Sequence, residues 1–359
     1  MKYHNKFSVF IFIVILLIAK NSRAQENVLK LNDQDYFEMP GLNVMLFHDN
    51  YPEGHQSGVT IIQHGIRVAA NGDLRLEPTP GQWQPVPAVG ERITDREKQV
   101  LSVPCSFPDP KRNRTGFNPI DYPDLELKYQ VNVKAEGAVV RITVDLEEAL
   151  PAEWIGKVGF NLEFFPGALF GKSYALDNSV DIFPQQLNGP MMRDQEGNFQ
   201  IKPLAEGKTL VVAPEDELQR IRIESVNGVL QLIDGRAHHN NGWFIVRTPV
   251  PAGALKNAVE WVVTPHVIPG WKYEPVIQIS QVGYHPNQKK MAIIECDPSD
   301  EMQGEVALDR IQSSGELETV LAQKPEEWGR FLRYQYFRFD FSDVKQEGMY
   351  QISYGDVKT

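Results

Sequence analysis

The stretch that decides the fold is Ile277-Gln278-Ile279-Ser280-Gln281-Val282-Gly283-Tyr284-His285-Pro286. Apolar and polar residues alternate up to Ser280, which is the period of a half-buried strand. Gly283 and Pro286 then interrupt the run: glycine turns the chain freely and proline cannot donate to a ladder. Just upstream, Pro269-Gly270-Trp271 and Glu274-Pro275 read as a linker. From 276 onward short strands recur at 276–280, 290–295, 305–310, 331–341 and 349–354, with a weak one near 317–321. That rhythm over residues 276–359 predicts an Ig-like sandwich, a fold of about seven strands. Because fewer are legible, the sandwich is expected to lack its closing strand at the C-terminal end.

The residues ahead of the linker carry the same pattern. Alternating runs at 59–62, 125–133, 139–146, 210–212, 219–224 and 229–233 are separated by Asn71-Gly72-Asp73, Glu136-Gly137, Asn227-Gly228 and Asp234-Gly235. Helix signals are scarce. Asn227-Gly228 predicts a hairpin between its flanking runs, and Glu136-Gly137 a second one. Residues 25–272 are too many for one Ig sandwich and predict a large two-sheet β-sandwich. The fold class is therefore all-β, a large β-sandwich domain at 25–272 followed by an Ig-like β-sandwich at 276–359.

Residues 1–24 have the form of an export signal peptide. Lys2 and Lys6 precede an apolar run at 7–19, and Ala24 supplies the small residue before the cut. The run is shorter than the roughly 20 residues that span a bilayer. An exported location is expected, whether periplasmic, cell-surface or extracellular, with no membrane span after cleavage. The net charge of −11 argues against nucleic acid, whose phosphates need a basic face. Two cysteines in 359 residues, Cys105 and Cys296, are not a disulfide framework; they are expected to lie in different modules.

Residues that could carry chemistry are sparse. Glycoside hydrolysis needs two carboxyl groups facing one bond, about 6.5–9.5 Å apart in the inverting geometry. The spacing Asp-x-x-Asp occurs at Asp121/Asp124, Asp297/Asp300 and Asp340/Asp343, and each reads as a turn or a strand end. His238-His239 would point to opposite faces of a strand and chelate poorly. His48, His55 and His64 could meet only through the fold. No nucleophile elbow, P-loop or dinucleotide motif is present. No cofactor is expected. For a structural calcium the nearest group is Asp177, Asn178 and Asp181, without a recognised spacing. Aromatic rings stack on the C–H faces of sugars, so the carbohydrate-contact candidates are Trp83, Trp154, Trp243, Trp271 and Tyr174, with Tyr122 behind them. The alternative for each is a core or interface role. Trp261, in an alternating run, is expected in the core, and Trp328 against a neighbouring module.

The stretch from Gln278 to Pro286, together with Lys290-Met291-Ala292-Ile293-Ile294, Phe339-Asp340-Phe341-Ser342-Asp343-Val344 and Gly348-Met349-Tyr350, resembles the Ig-like module found on the N-terminal side of family 9 glycoside hydrolases. The segments Gly58-Val59-Thr60-Ile61-Ile62-Gln63-His64-Gly65, Asn71-Gly72-Asp73-Leu74-Arg75-Leu76 and 164–174 are similar to an extra N-terminal β-domain of Bacteroidetes-type family 9 proteins. In that family a helical catalytic barrel follows, with an Asp-x-x-Asp pair early in it and a Glu acid near its end, and the Ig-like module supports the barrel. His285 would then brace the turn after the first Ig strand. The resemblance implies an ancillary, non-catalytic N-terminal region of an exported polysaccharide-degrading enzyme, with the barrel as its partner in cis and polysaccharide as a possible ligand. The alternative is a stand-alone carbohydrate-binding protein of a glycan-utilisation system. No catalytic residue is recognised in this chain, so whether it is an enzyme stays open on the sequence.

Overall fold

The computed structural model describes residues 28–48, 57–80, 84–107, 121–187, 189–193, 197, 199–237, 242–300 and 304–359. They are nearly all β, as the alternation predicts. The chain divides into two units, one up to Trp271 and one from Lys272.

In the first unit a nine-stranded and a ten-stranded antiparallel sheet share one core. The ten-stranded sheet has the regular alternation of a sheet with one packed face. Strands Leu127–Glu136, Val139–Leu146 and Val259–Pro265 bury every second residue. The first two pair from Glu136↔Val139 onward across Gly137, as expected. Gly137 supplies the left-handed φ of +71° that this tight turn requires. Trp261 is wholly buried, as expected. Its ring meets Phe160 of the nine-stranded sheet edge-on at 4.9 Å, and its Nε1–H donates to Thr248 Oγ1 at 2.9 Å.

The Asn227-Gly228 hairpin is not formed. Ile221–Ser225 pairs with Thr209–Val212 and Val259–Pro265 in the ten-stranded sheet. Leu230–Asp234 pairs with Ala205–Gly207 and Phe244–Pro249 in the nine-stranded one. The turn is real, with Gly228 at φ +74°, but it is a corner between sheets. Asn227 pins that corner, its side chain donating to Asn257 O and accepting from Glu260 N–H.

The second unit is a sandwich of two four-stranded sheets. One runs Val276–Gln278, Met291–Cys296, Tyr334–Asp340, Glu326–Phe331; the other runs Leu317–Gln323, Val306–Ile311, Tyr350–Tyr354, Val357–Lys358. Its core holds Ile294, Leu308, Phe337, Phe339, Ile352 and Tyr354. The run expected as one strand over 331–341 is broken by a two-residue turn at Leu332 and Arg333, since Phe331 pairs with Tyr334. Nothing in that dipeptide signals a turn, and Leu332 takes φ +50°, a conformation uncommon for a bulky residue. The closing position, expected to be empty, holds a rudiment. Val357–Lys358 pairs with Tyr354 and Ser353, and Thr359 N–H donates to Ile352 O at 3.0 Å. Tyr350 and Gln351 have no strand partner on that side among the described residues. Cys105 and Cys296 fall in different units, and both remain thiols.

Candidate functional site

The nine-stranded sheet holds the densest set of charged groups in the interior. Along Val158–Phe164 the apolar Phe160, Leu162 and Phe164 alternate with Asn161 and Glu163, yet every residue of the strand is buried. The polar residues are buried because they satisfy one another across neighbouring strands. Asn161 pairs with Asp73 on Ile66–Leu76 and with Arg247 on Phe244–Pro249. The Arg247 guanidinium donates to Asn161 Oδ1 at 2.7 Å, Lys157 O at 2.6 Å and Arg75 O at 3.3 Å. Burial pushes its pKa down to about 10 from the usual 12.5, against the pull of Glu77, so it stays charged at neutral pH. Asn161 Nδ2 donates to Glu77 Oε1 at 3.2 Å. Gly159 is required here: a Cβ would stand 2.8 Å from Arg247 Cζ and 2.8 Å from Thr248 O. Asp73 accepts from the Tyr129 hydroxyl at 3.0 Å and from Leu74 N–H at 2.8 Å. Burial, then Asp73, raises the Tyr129 phenol well above its ordinary value, and burial raises the Cys105 thiol beside it.

Most polar groups of this seam bond to one another, with Asn71 Oδ1 left without a hydrogen-bond partner among the described residues, an arrangement that suits holding the fold more than receiving a substrate. Glu163 is a carboxyl group of the seam with a raised pKa. Burial raises its pKa, while Arg75 and the 2.6 Å bond donated by Asn71 Nδ2 oppose the shift. The folded state therefore holds the proton more tightly than the unfolded chain, whose value is near 4.5. The group's contribution to stability is fully present below pH 4.5 and is lost as pH rises toward the folded pKa, by up to about 1.4 kcal/mol per pH unit. Glu163→Gln removes that dependence while keeping an acceptor for Asn71. Between pH 4 and pH 8 the melting temperature of the variant should rise relative to wild type as pH increases. A difference constant with pH would refute a raised Glu163 pKa.

Among the described residues, each carbohydrate-contact candidate packs against its own local partners. Tyr174 is only 3% exposed, with its ring 5.2 Å from Phe183 and its phenol pKa raised by burial; it takes a core role rather than a ligand one. Trp154 is half-buried against the core at the end of the short helix Ala152–Trp154, with Lys157 Nζ 5.3 Å over its ring. Trp243 packs edge-on to Phe165 at 4.6 Å. Trp271 meets the edge of His64 at 5.4 Å. His64 is tied by Nδ1 to Leu218 O at 2.9 Å, and its Nε2 accepts from Ile268 N–H at 3.1 Å. Trp83, His55 and the His238-His239 pair lie outside the described residues. Asp177 accepts the N–H groups of Lys208 and Thr209 at 2.8 and 2.9 Å, the role of a turn residue. Asp121 and Asp124 are both exposed. Asp297 accepts from Ser299 and from Tyr273 N–H, and Asp340 accepts from Ser342 N–H, which is turn chemistry.

In the second unit the Gly-Tyr-His-Pro motif builds a groove of about 730 Å³. The Tyr284 hydroxyl accepts from Ser280 N–H at 3.0 Å and donates to Met291 O at 2.8 Å, while its ring meets Phe341 edge-on at 5.1 Å. His285 Nδ1 accepts from Asn287 N–H at 3.2 Å, which braces the turn as the resemblance implies. Ile279, Met349 and Tyr350 line the groove, and Val282 next to it is 97% exposed.

Residues 272–359 match the family described as the cellulase N-terminal Ig-like domain. The match covers the second unit and leaves the first 271 residues outside it. No curated protein and no solved structure matches the chain. The second unit is therefore similar to a domain associated with cellulases.

Proposed function

We propose that this chain is the ancillary, non-catalytic N-terminal region of an exported polysaccharide-degrading enzyme of the family 9 type, whose second unit supports a catalytic barrel. The match of residues 272–359 to the cellulase N-terminal Ig-like domain carries this reading. The buried carboxylates of the first unit add to it. Asp73, Glu163 and Asp234 are engaged by Tyr129, Asn71 and Arg236, so these groups act in folding rather than hydrolysis. Export rests on the pattern of residues 1–24. Among the described residues, no helix is long and apolar enough to cross a membrane.

Two measurements test the reading. The purified chain should release no reducing sugar from β-glucans. A family 9 barrel lacking its own Ig-like domain should melt at a higher temperature when fused after Thr359. Hydrolysis by the chain alone that is lost in Asp121→Ala would overturn the proposal.

A further inference from the structure

The sheet containing Met291–Cys296, Tyr334–Asp340 and Glu326–Phe331 turns Ile294, Phe337 and Phe339 into the core. Alternation puts Glu295, Tyr334, Tyr336 and Arg338 on its other face. There Trp328 and Phe331 are 53% and 55% exposed. The Trp328 ring lies 5.9 Å from Tyr336 and 6.5 Å from Phe331, at 88° and 79° to them. Tyr273 packs on Tyr334 at 4.6 Å. Five aromatic rings therefore share one face. Glu295 lies among the rings and accepts from the Tyr273 hydroxyl at 2.7 Å. Burial and Glu295 together push the Tyr336 phenol up to about 12. Arg333 stands over the Tyr334 ring at 5.1 Å. Arg333 Nη1 and Arg338 Nε are enclosed N–H donors with no hydrogen-bond partner among the described residues.

We propose that this face is a carbohydrate-binding site for a single soluble chain of β-linked, all-equatorial pyranoses. The proposal rests on the reading that the chain serves a polysaccharide-degrading enzyme, and it places a ligand on residues that reading leaves without a role. The occupant follows from the chemistry of the face. Its charges balance, with Glu295 and Glu326 against Arg333 and Arg338, which suits a neutral ligand rich in hydroxyls. Its centre is a carboxylate and two guanidinium groups, and its exposed edge is aromatic. A protein interface has the reverse layout, apolar at the core and polar at the rim. An all-equatorial pyranose has a flat face of axial C–H bonds that can lie on Trp328, leaving its rim hydroxyls to Glu295 and to the exposed Glu326–Arg338 pair. Because the rings stand perpendicular, they form a corner that fits one chain rather than a plane that fits a crystalline surface.

Affinity electrophoresis of the full chain in gels containing soluble mixed-linkage β-glucan tests the proposal, with amylose gels and pull-down on crystalline cellulose as comparisons. The β-glucan should retard the chain, and amylose and crystalline cellulose should bind it far less. Trp328→Ala should weaken binding about tenfold, the loss expected for one stacked ring. Its melting temperature should stay unchanged, because Trp328 lies outside the core. Phe331→Ala should weaken binding less. Absence of retardation by any β-linked glycan, or equal retardation of wild type and Trp328→Ala, would overturn the proposal. So would a Trp328→Ala chain that loses its stabilisation of a fused barrel while binding glucan normally, because the face would then serve a protein partner. A failure of glucan binding leaves the ancillary reading standing, since that depends on the barrel-stability and hydrolysis measurements.

Discussion

Arg247→Met should destabilise the first unit by about 3–5 kcal/mol, the cost of removing one member of a buried, hydrogen-bonded charge network. The side chain is 1% exposed and serves three acceptors, Asn161 Oδ1, Lys157 O and Arg75 O. Methionine fills much of the volume but donates nothing, so these oxygens are stranded away from water, at about 1–3 kcal/mol for each that finds no new partner. Glu77 also loses its nearby positive charge. Arg247→Lys should recover only part of the loss, because one ammonium cannot cover acceptors reached by different arms of a planar fork. Urea unfolding followed by tryptophan fluorescence reads the effect. A loss below about 1 kcal/mol would mean that the network contributes little.

The seam around Arg247 also shows where sequence reading stops. Alternation placed the strands correctly: Leu127–Glu136, Val139–Leu146 and Val259–Pro265 all bury the residues that the pattern assigns to the core. The same rule treats Asn161, Glu163 and Arg247 as a solvent face, because local pattern cannot show that polar side chains will be buried by bonding one another across neighbouring strands. Asn227-Gly228 fails for a related reason. A dipeptide fixes a reversal of direction, but the choice of partner strand is made by distant burial, here by Val259–Pro265 against Ile221–Ser225. In the second unit the Gly-Tyr-His-Pro motif could be read because its tyrosine acts within its own turn. The aromatic face could not, because it is assembled across the Leu332–Arg333 turn, which carries no glycine, proline or asparagine. A signal was nevertheless present: Trp328, Phe331, Tyr334 and Tyr336 crowd nine residues that, once split into two strands, all fall on one side.

The second large effect concerns the contact between the two sheets of the first unit. Trp261→Ala should cost about 3–5 kcal/mol, the range for a fully buried large aromatic, since the surrounding β-sheets relax too little to close the space. Trp261 is among the largest fully buried side chains, and it crosses from the ten-stranded sheet to Phe160 and Thr248 of the nine-stranded one. Trp261→Phe separates the contributions. It keeps most of the ring contact with Phe160, shrinks the side chain, and leaves the Thr248 hydroxyl without its indole donor. A loss of roughly 1–3 kcal/mol is expected from these two changes. Adding Thr248→Val to Trp261→Phe removes the stranded hydroxyl, so the double variant should be more stable than the sum of the two single changes predicts. Trp328→Ala is the internal control: it removes an equally large ring from an exposed face and should leave the urea midpoint unchanged. If Trp261→Ala and Trp328→Ala shifted unfolding equally, Trp261 would not be the residue that joins the sheets.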